Sequence, residues 1–267
     1  MNEVVLRRNN VNVTGAGEQT MLFAPGFGCD QNMWRFVAPA FEAEYRVVRF
    51  DYVGTGRSDK SAYTAERYQS LDGYVQDVLD ICEALHIENA ILVGHSVGAM
   101  VGLLASLRAD CFRHLVLLGP SPRYINDGTD YIGGFEREDI EQLLELMERN
   151  HVDWADYLAP LVMGNPERPE LARELGHSFC SLDPQIARQF ARATFMSDNR
   201  ADLARVTVPS LILQSSQDLI TPLEVGAYVH DQLRGSELQF MEATGHCPHV
   251  SHPEETSRLI RTYLNAS

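Results

Sequence analysis

The sequence predicts an α/β fold, in which a mostly parallel central sheet is flanked by helices and interrupted by an inserted helical segment. Along the 267 residues, short apolar runs alternate with longer amphipathic stretches. That alternation is typical of strands joined by helices. The middle runs, such as Ile91-Leu92-Val93 and Leu211-Ile212-Leu213, are apolar throughout. Strands buried on both faces have this composition, so these runs are predicted at the centre of the sheet.

Seven strands are predicted in chain order. They cover residues 4–13, 20–24, 46–51, 90–94, 113–118, 210–214 and 237–241. Helices are predicted in the longer stretches between and after them, over residues 33–42, 68–86, 97–108, 225–233 and 254–264. The order of strand and helix favours parallel pairing with helical connections.

The interval 121–198 breaks this alternation, because it contains no convincing strand. Residues 136–150, 152–163, 168–181 and 183–195 have helical character instead. Gly133-Gly134, Gly164-Asn165-Pro166 and Asp183-Pro184 separate them, as turn residues do. We therefore predict an all-helical lid at 121–198, inserted into a core formed by residues 1–120 and 199–267.

Charge and cysteine content exclude several classes of partner. The chain has 22 Lys and Arg against 37 Asp and Glu, a net charge of −15. Such an acidic surface repels phosphate backbones and anionic headgroups, so neither nucleic acid nor a membrane is expected as a partner. No apolar run approaches the roughly 20 residues that span a bilayer. Five scattered cysteines and no visible secretory signal favour a cytoplasmic location.

A candidate nucleophile lies in Gly94-His95-Ser96-Val97-Gly98, which has the G-x-S-x-G pattern. The pattern directly follows a predicted buried strand and directly precedes a predicted helix, as a nucleophile elbow requires. A serine on this sharp turn needs small neighbours, and Gly94 and Gly98 supply them. A glycine-rich turn with a capping serine is the simpler alternative, but the strand–turn–helix context favours Ser96 as a nucleophile at a helix N-terminus.

The general base is expected late in the chain, because the order in this arrangement is serine, acid, histidine. His246 follows the last predicted strand soonest and is the candidate, with His249 as a weaker alternative. The spacing of His246, His249 and His252 also suggests a metal site. Pro248 and Pro253 prevent the three from sharing one helix face, so no metal is predicted.

The acid should follow a strand and precede His246, and Asp218 meets both conditions. It would accept a hydrogen bond from the imidazole and fix its tautomer. Asp202 precedes its strand and Asp231 lies within a predicted helix, so both fit less well.

An oxyanion hole is predicted from two backbone N–H groups. One belongs to Val97, the residue after the nucleophile, and the other to Phe27 in the loop after an early strand. The loop reads Pro25-Gly26-Phe27-Gly28, and its glycines allow the backbone to approach a substrate closely. An ordinary Gly/Pro turn is the alternative.

These residues together resemble the RsbQ-type α/β hydrolases, bacterial stress-signalling relatives of the plant karrikin and strigolactone receptors. The similarity extends over nearly the whole chain, including its lid. It is carried by Pro25-Gly26-Phe27-Gly28-Cys29-Asp30-Gln31, Phe50-Asp51-Tyr52-Val53-Gly54, Gly94-His95-Ser96-Val97-Gly98-Ala99, Gly119-Pro120-Ser121-Pro122, Gly133-Gly134-Phe135-Glu136, Phe179-Cys180-Ser181 and Gly245-His246-Cys247-Pro248-His249. One departure is Gln217, where RsbQ carries a second acid before Asp218.

The resemblance implies the α/β-hydrolase fold, a catalytic triad of Ser96, Asp218 and His246, and a four-helix lid over a deep apolar pocket. The pocket residues it implies are Phe27, His95, Tyr124, Phe135, Leu143, Trp154, Leu158, Phe195 and Leu219. Aromatic residues at helical spacing are, taken alone, more typical of a plain core.

The predicted function is that of a serine hydrolase, with no cofactor, acting on small hydrophobic ester-like or lactone compounds. The resemblance implies a positive regulator of the sigma-B general stress response, acting through a PAS-domain PP2C-type phosphatase. Two alternatives are a metabolic carboxylesterase without a signalling role and a karrikin- or strigolactone-like receptor. A protein that only binds its ligand is a further alternative, which an intact triad disfavours.

Overall fold

The computed structural model describes residues 2–266, and a seven-stranded sheet forms its centre. The strands are β1 (Asn12–Thr14), β2 (Thr20–Ala24), β3 (Arg46–Arg49), β4 (Ala90–His95), β5 (Phe112–Leu118), β6 (Ser210–Gln217) and β7 (Ser236–Thr244). Their order across the sheet is β1-β3-β2-β4-β5-β6-β7. Every neighbouring pair is parallel except β1 with β3, which is antiparallel. The mostly parallel sheet is confirmed.

Eleven α-helices flank or follow these strands within the described part of the chain. They are α1 (Asn2–Arg8), α2 (Leu71–Ala84), α3 (Val97–Ser106), α4 (Arg137–Arg149), α5 (His151–Met163), α6 (Pro169–Cys180), α7 (Pro184–Phe195), α8 (Arg200–Leu203), α9 (Leu223–Gln232), α10 (Pro248–Ser251) and α11 (Pro253–Ala266). The predicted helical interval 121–198 contains α4 to α7, and α8 follows it before β6. Its separation as a lid domain stays a prediction. None of the helices in residues 2–266 is both long and apolar enough to cross a bilayer.

The continuous apolar runs are explained by packing on both faces of the sheet. Along β4, Ile91 and Val93 belong to one buried apolar cluster, while Ala90 and Leu92 belong to another. Successive side chains of a strand point to opposite faces, so a strand covered on both sides needs apolar residues at every position.

The predicted strand at 4–13 is wrong in its first half. Asn2–Arg8 forms α1 instead. A turn at Asn9 and Asn10 follows the helix, and Asn10 adopts a φ of 44°. Val4 is 63% exposed, so its β-branched side chain has no strand neighbour to pack on. Tertiary contacts of Arg8 decide the conformation, because its guanidinium lies 2.8 Å from the Asp80 carboxylate on α2.

The predicted helix at 33–42 is also replaced. Two short 3₁₀ turns, Gln31–Trp34 and Ala38–Phe41, occupy this segment. Pro39 has no N–H to donate inside a longer helix, and it lies at the second position of the second turn instead.

A buried carboxylate on α2 joins the N-terminal segment to the segment between β3 and α2. Asp77 is fully buried and lies 3.3 Å from Arg8 and 2.9 Å from Arg67. The Tyr68 hydroxyl donates to it over 2.9 Å and the Val53 N–H over 3.3 Å. Burial raises the pKa of Asp77 despite the two guanidinium groups that favour its charged form.

Replacing Asp77 should therefore destabilise the fold strongly. We expect Asp77→Ala to lower the free energy of unfolding by about 3–5 kcal/mol, because two guanidinium groups lose a buried partner. Urea unfolding monitored by circular dichroism measures the change. The matched control is Asp72→Ala on the same helix, whose exposed pair with Arg108 should contribute less than about 1 kcal/mol. Similar losses for both variants would contradict the expectation.

Candidate active site

Ser96 lies on a strained turn between β4 and α3. Its backbone has φ 56° and ψ −124°, a conformation that residues other than glycine rarely adopt. The Ser96 N–H donates to the Leu118 carbonyl on β5 over 2.8 Å, which fixes the turn to the edge of the sheet. The hydroxyl is thereby held at the N-terminus of α3, as the elbow motif predicts.

The two glycines of the motif are required by close backbone contacts. A Cβ on Gly94 would lie 2.6 Å from the Gly98 carbonyl oxygen, and one on Gly98 would lie 2.4 Å from the Pro25 carbonyl oxygen. Larger residues would thus separate the turn from the loop that carries Phe27.

The structure brings Ser96, His246 and Asp218 together. His246 Nε2 lies 2.8 Å from Ser96 Oγ, and His246 Nδ1 lies 2.7 Å from Asp218 Oδ2. A carboxylate only accepts hydrogen bonds, so Nδ1 carries the proton and Nε2 is free to accept one from the serine hydroxyl. All three side chains are buried, which strengthens the polar contacts between them.

Asp218 is held in its charged form by several donors. Its Oδ1 accepts from the N–H groups of Ile220 and Thr221, and its Oδ2 accepts from the Thr221 hydroxyl over 2.7 Å. Burial alone would raise the pKa of Asp218. The attraction of His246 and the hydrogen bonds from His246 and Thr221 outweigh burial, and the pKa is lowered.

The backbone around His246 is bonded to the end of α5. The His246 N–H donates to the Val162 carbonyl over 2.8 Å. Asn165 Nδ2 donates to the Thr244 carbonyl over 3.0 Å, and Gly245, with φ 80°, donates its N–H to the Gln217 carbonyl over 2.7 Å. A Cβ at Gly245 would overlap the Met163 carbonyl oxygen, so only glycine fits between the two segments.

The two candidate oxyanion donors lie on either side of this turn. Val97 is the first residue of α3, where backbone N–H groups have no intrahelical acceptor. The loop with Phe27 packs against the elbow, because the Gly98 position contacts the Pro25 and Ala24 carbonyls. Their role in holding an oxyanion stays a prediction.

Four of the predicted pocket residues form an aromatic cluster near Ser96. The ring of Phe27 lies 6.0 Å from Trp154 and 5.6 Å from Phe195, between ring centroids. Tyr124 lies 5.1 Å from Phe195, and its hydroxyl is 3.4 Å from Ser96 Oγ. Burial raises the pKa of Tyr124, so this hydroxyl stays protonated as a possible donor.

Sequence reasoning missed two members of this cluster. Phe179 on α6 and Phe190 on α7 lie 6.0 Å and 5.2 Å from Phe27. The apolar faces of α6 and α7 were the available signal, but periodicity does not distinguish a pocket wall from a core.

Four other predicted pocket residues line a separate, open cavity of about 590 Å³. These are Phe135, Leu143, Leu158 and Leu219, which border it together with residues of α4, α5 and the loop after Asp218. Leu219 is 65% exposed. The nine predicted residues therefore do not form one continuous wall.

His95, the ninth predicted pocket residue, lies among histidines instead of the aromatic cluster. Its ring is 4.9 Å from His246 and 4.3 Å from His249. His249, the alternative base, is buried with its ring 4.4 Å from Trp34. The structure thus places His246, and not His249, at the serine hydroxyl.

The chain is similar to a known family and to several known proteins along almost its whole length. A family model described as "Alpha/beta hydrolase family" matches residues 21–259. A strigolactone esterase from Pisum sativum, RMS3, is 39% identical over 267 residues, covering 99% of this chain and 100% of that protein. The Petunia hybrida karrikin insensitive 2 receptor IA is 40% identical and covers 96% of this chain and 93% of its own length. A solved hydrolase from Oleispira antarctica superposes with a TM-score of 0.97 at 44% identity, covering 100% of this chain and 98% of that one.

The glycine contacts at the elbow lead to a stability prediction. Gly98→Ala should lower the free energy of unfolding by about 1–3 kcal/mol, because its Cβ would clash with the Pro25 carbonyl oxygen, a backbone atom that cannot rotate aside as a side chain can. Gly176→Ala on α6 is the control. Its Cβ would meet only Ala159 at 3.6 Å, so the better helix former should stabilise by about 0.5–1 kcal/mol. Thermal unfolding of both variants checks this, and an equally stable Gly98→Ala would refute the steric argument.

The lowered pKa of Asp218 predicts a pH-dependent contribution to stability. A carboxylate whose pKa is lower in the folded state stabilises above its ordinary value of 3.8 and loses that contribution as pH falls. Wild type should therefore exceed Asp218→Asn by about 1–3 kcal/mol at pH 7, and the difference should shrink in acid. Urea unfolding between pH 7 and pH 3 measures it. Asp231→Asn, an exposed position on α9, serves as control, and a gap for Asp218→Asn that is constant with pH would contradict the assignment.

Proposed function

We propose that this chain, which belongs to the alpha/beta hydrolase family, is a serine hydrolase that cleaves small apolar esters or lactones. Ser96 is the nucleophile, His246 the base and Asp218 the group that orients the base. The observation that carries this proposal is the unbroken hydrogen-bonded path from Asp218 through His246 to Ser96, with steps of 2.7 Å and 2.8 Å. The position of His246 Nε2, the tautomer with the proton on Nδ1 and the negative charge of Asp218 all suit proton removal from the serine.

The first half of the reaction forms an acyl-enzyme. His246 Nε2 takes the hydroxyl proton as Ser96 Oγ bonds to the substrate carbonyl carbon, and the carbonyl oxygen becomes an oxyanion. The N–H groups of Phe27 and Val97 stabilise that oxygen, and each such donor contributes about 2.7–4 kcal/mol in a transition state. The imidazolium then protonates the departing alkoxide as the ester C–O bond breaks, and Asp218 stabilises its charge.

The second half restores the enzyme. Water gives a proton to His246 Nε2 and attacks the acyl carbon, and the imidazolium returns a proton to Ser96 Oγ as that bond breaks. In a lactone, the alcohol released in the first half stays attached to the acyl group, so a single hydroxy acid is the product.

The aromatic cluster supports small apolar substrates. Phe27, which carries a candidate oxyanion donor, also contacts Trp154, Phe190 and Phe195 with its ring. A substrate carbonyl held by the Phe27 N–H would therefore lie against apolar side chains, which exclude water and favour an apolar acyl or alcohol group.

A receptor that turns over its ligand slowly is a second candidate. The relatives from Petunia and pea, which this chain covers almost completely, are named for a karrikin response and for strigolactone esterase activity. The lactone that the second name contains is a substrate of the proposed class. We therefore place a karrikin- or strigolactone-like ligand ahead of a general metabolic ester.

The narrower role in sigma-B regulation depends on the RsbQ-type resemblance alone. Neither relative named above carries a phosphatase or a stress response in its name. The PAS-domain phosphatase partner and the cytoplasmic location stay predictions, and co-purification from stressed cells tests the former.

Replacing the nucleophile tests the proposed chemistry. Ser96→Ala should abolish hydrolysis of a chromogenic acetate ester, because no other hydroxyl lies 2.8 Å from His246 Nε2 among the described residues. Ser106→Ala, at the far end of α3, should retain the wild-type rate, since its hydroxyl only bonds the Leu103 carbonyl. Mass spectrometry of stopped reactions should find an acyl group on Ser96. Activity retained by Ser96→Ala would reject the mechanism.

Kinetics of the wild-type protein distinguish an esterase from a receptor. Pre-steady-state kinetics with a butenolide ester in excess over the protein should show a fast burst and slow later turnover if the receptor candidate is right. Rapid steady turnover of many simple esters would favour the metabolic esterase.

A further inference from the structure

The side chain before the nucleophile bonds to the backbone of the base, a contact that the proposed chemistry does not use. His95 Nε2 lies 2.7 Å from the carbonyl oxygen of His246. The bond is buried and reaches the His246 backbone, whereas the relay uses only the side-chain nitrogens of His246. A carbonyl oxygen only accepts, and Nε2 therefore carries the proton of the neutral ring.

The remaining nitrogen of His95 favours this neutral tautomer. Nδ1 is buried and has no hydrogen-bond partner among residues 2–266. A Cβ on Gly26 would lie 2.5 Å from Nδ1, so the loop backbone closes this side of the ring. A second proton on Nδ1 would have no acceptor there, and burying it would be costly.

The surroundings of His95 oppose a positive charge on its ring. Burial and, next, the neighbouring His246 lower the pKa of His95 to about 3. His249 lies with its ring 4.3 Å from that of His95, and burial lowers its pKa. The hydrogen bond to the His246 carbonyl and the nearby Asp218 carboxylate only partly oppose the shift of the His95 pKa. His95 is therefore neutral at the moment when His246 becomes an imidazolium.

We infer that His95 is a positioning residue for His246. Its Nε2–H holds the His246 carbonyl while the His246 N–H is held by Val162, so the peptide groups on both sides of the histidine are fixed. A neutral donor holds the carbonyl without repelling the His246 imidazolium, whereas a charged lysine or arginine at this position would repel it. This inference rests on the proposed serine-hydrolase function, because it assigns His95 a role in aligning Nε2 with Ser96 Oγ.

A matched pair of variants separates the hydrogen bond from the volume of the side chain. His95→Gln keeps an N–H donor of similar reach, whereas His95→Met has similar length and no donor. We expect His95→Met to lower kcat for the chromogenic acetate ester about 10- to 100-fold with KM changed by less than about twofold, because misplaced catalytic groups chiefly cost kcat. His95→Gln should recover most of the lost kcat. Equal kcat values for the two folded variants would overturn the inference.

A spectroscopic measurement tests the same point without turnover. The proton shared by His246 Nδ1 and Asp218 should give a low-field resonance that is retained in His95→Gln and shifted or broadened in His95→Met. Loss of the resonance from a folded His95→Gln, or an unchanged resonance in His95→Met, would overturn the inference. Thermal unfolding establishes that the variants are folded. His230→Gln on α9 is the control, and it should keep kcat within about twofold, because His230 is exposed and its Nδ1 lies 2.8 Å from the Ser236 hydroxyl, outside the contacts of His95 and His246.

If wild type shows no Ser96-dependent hydrolysis, the proposed function fails, and the resonance still decides whether His95 positions His246. If Ser96-dependent hydrolysis is present and the Gln and Met variants are alike, only the inference about His95 fails.

Discussion

The positive φ of Ser96 is the constraint on which the rest of this region depends. A residue with a side chain is costly in that conformation, and the surrounding structure has to supply the energy that keeps it there. The hydrogen bond to Leu118, the bare glycines on both sides and the start of α3 all serve this turn. In return, the hydroxyl stands clear of its own backbone and faces His246.

The sheet explains how side chains from distant parts of the chain come to face that hydroxyl. β4, β6 and β7 run parallel to one another, so the segments that follow them emerge at the same edge. Ser96 follows β4, Asp218 follows β6 and His246 follows β7. The spacing between these residues in sequence is immaterial, because only the carboxyl ends of the strands determine where they meet.

The sequence was most informative where residue type and backbone geometry are tightly coupled. The glycines around Ser96, the buried apolar runs and the late histidine led to the correct sheet and to the residues that meet at its edge. The sequence was least informative where contacts with distant residues determine the local conformation or the surroundings of a side chain. Val4 and Val5 favour a strand locally, yet Arg8 and its partners on α2 hold a helix there. The nine predicted pocket residues are separated in the structure for a similar reason: Leu219 and Phe27 are both apolar, and only packing shows that one borders an open cavity and the other belongs to an aromatic cluster.

The bond between the Val162 carbonyl and the His246 N–H has a consequence for motion. Because Gly245 leaves no gap beside Met163, α5 cannot be displaced far without carrying the histidine loop with it. A ligand that favours one arrangement of α5 is therefore coupled to the position of the His246 backbone, and such a coupling acts equally in both directions.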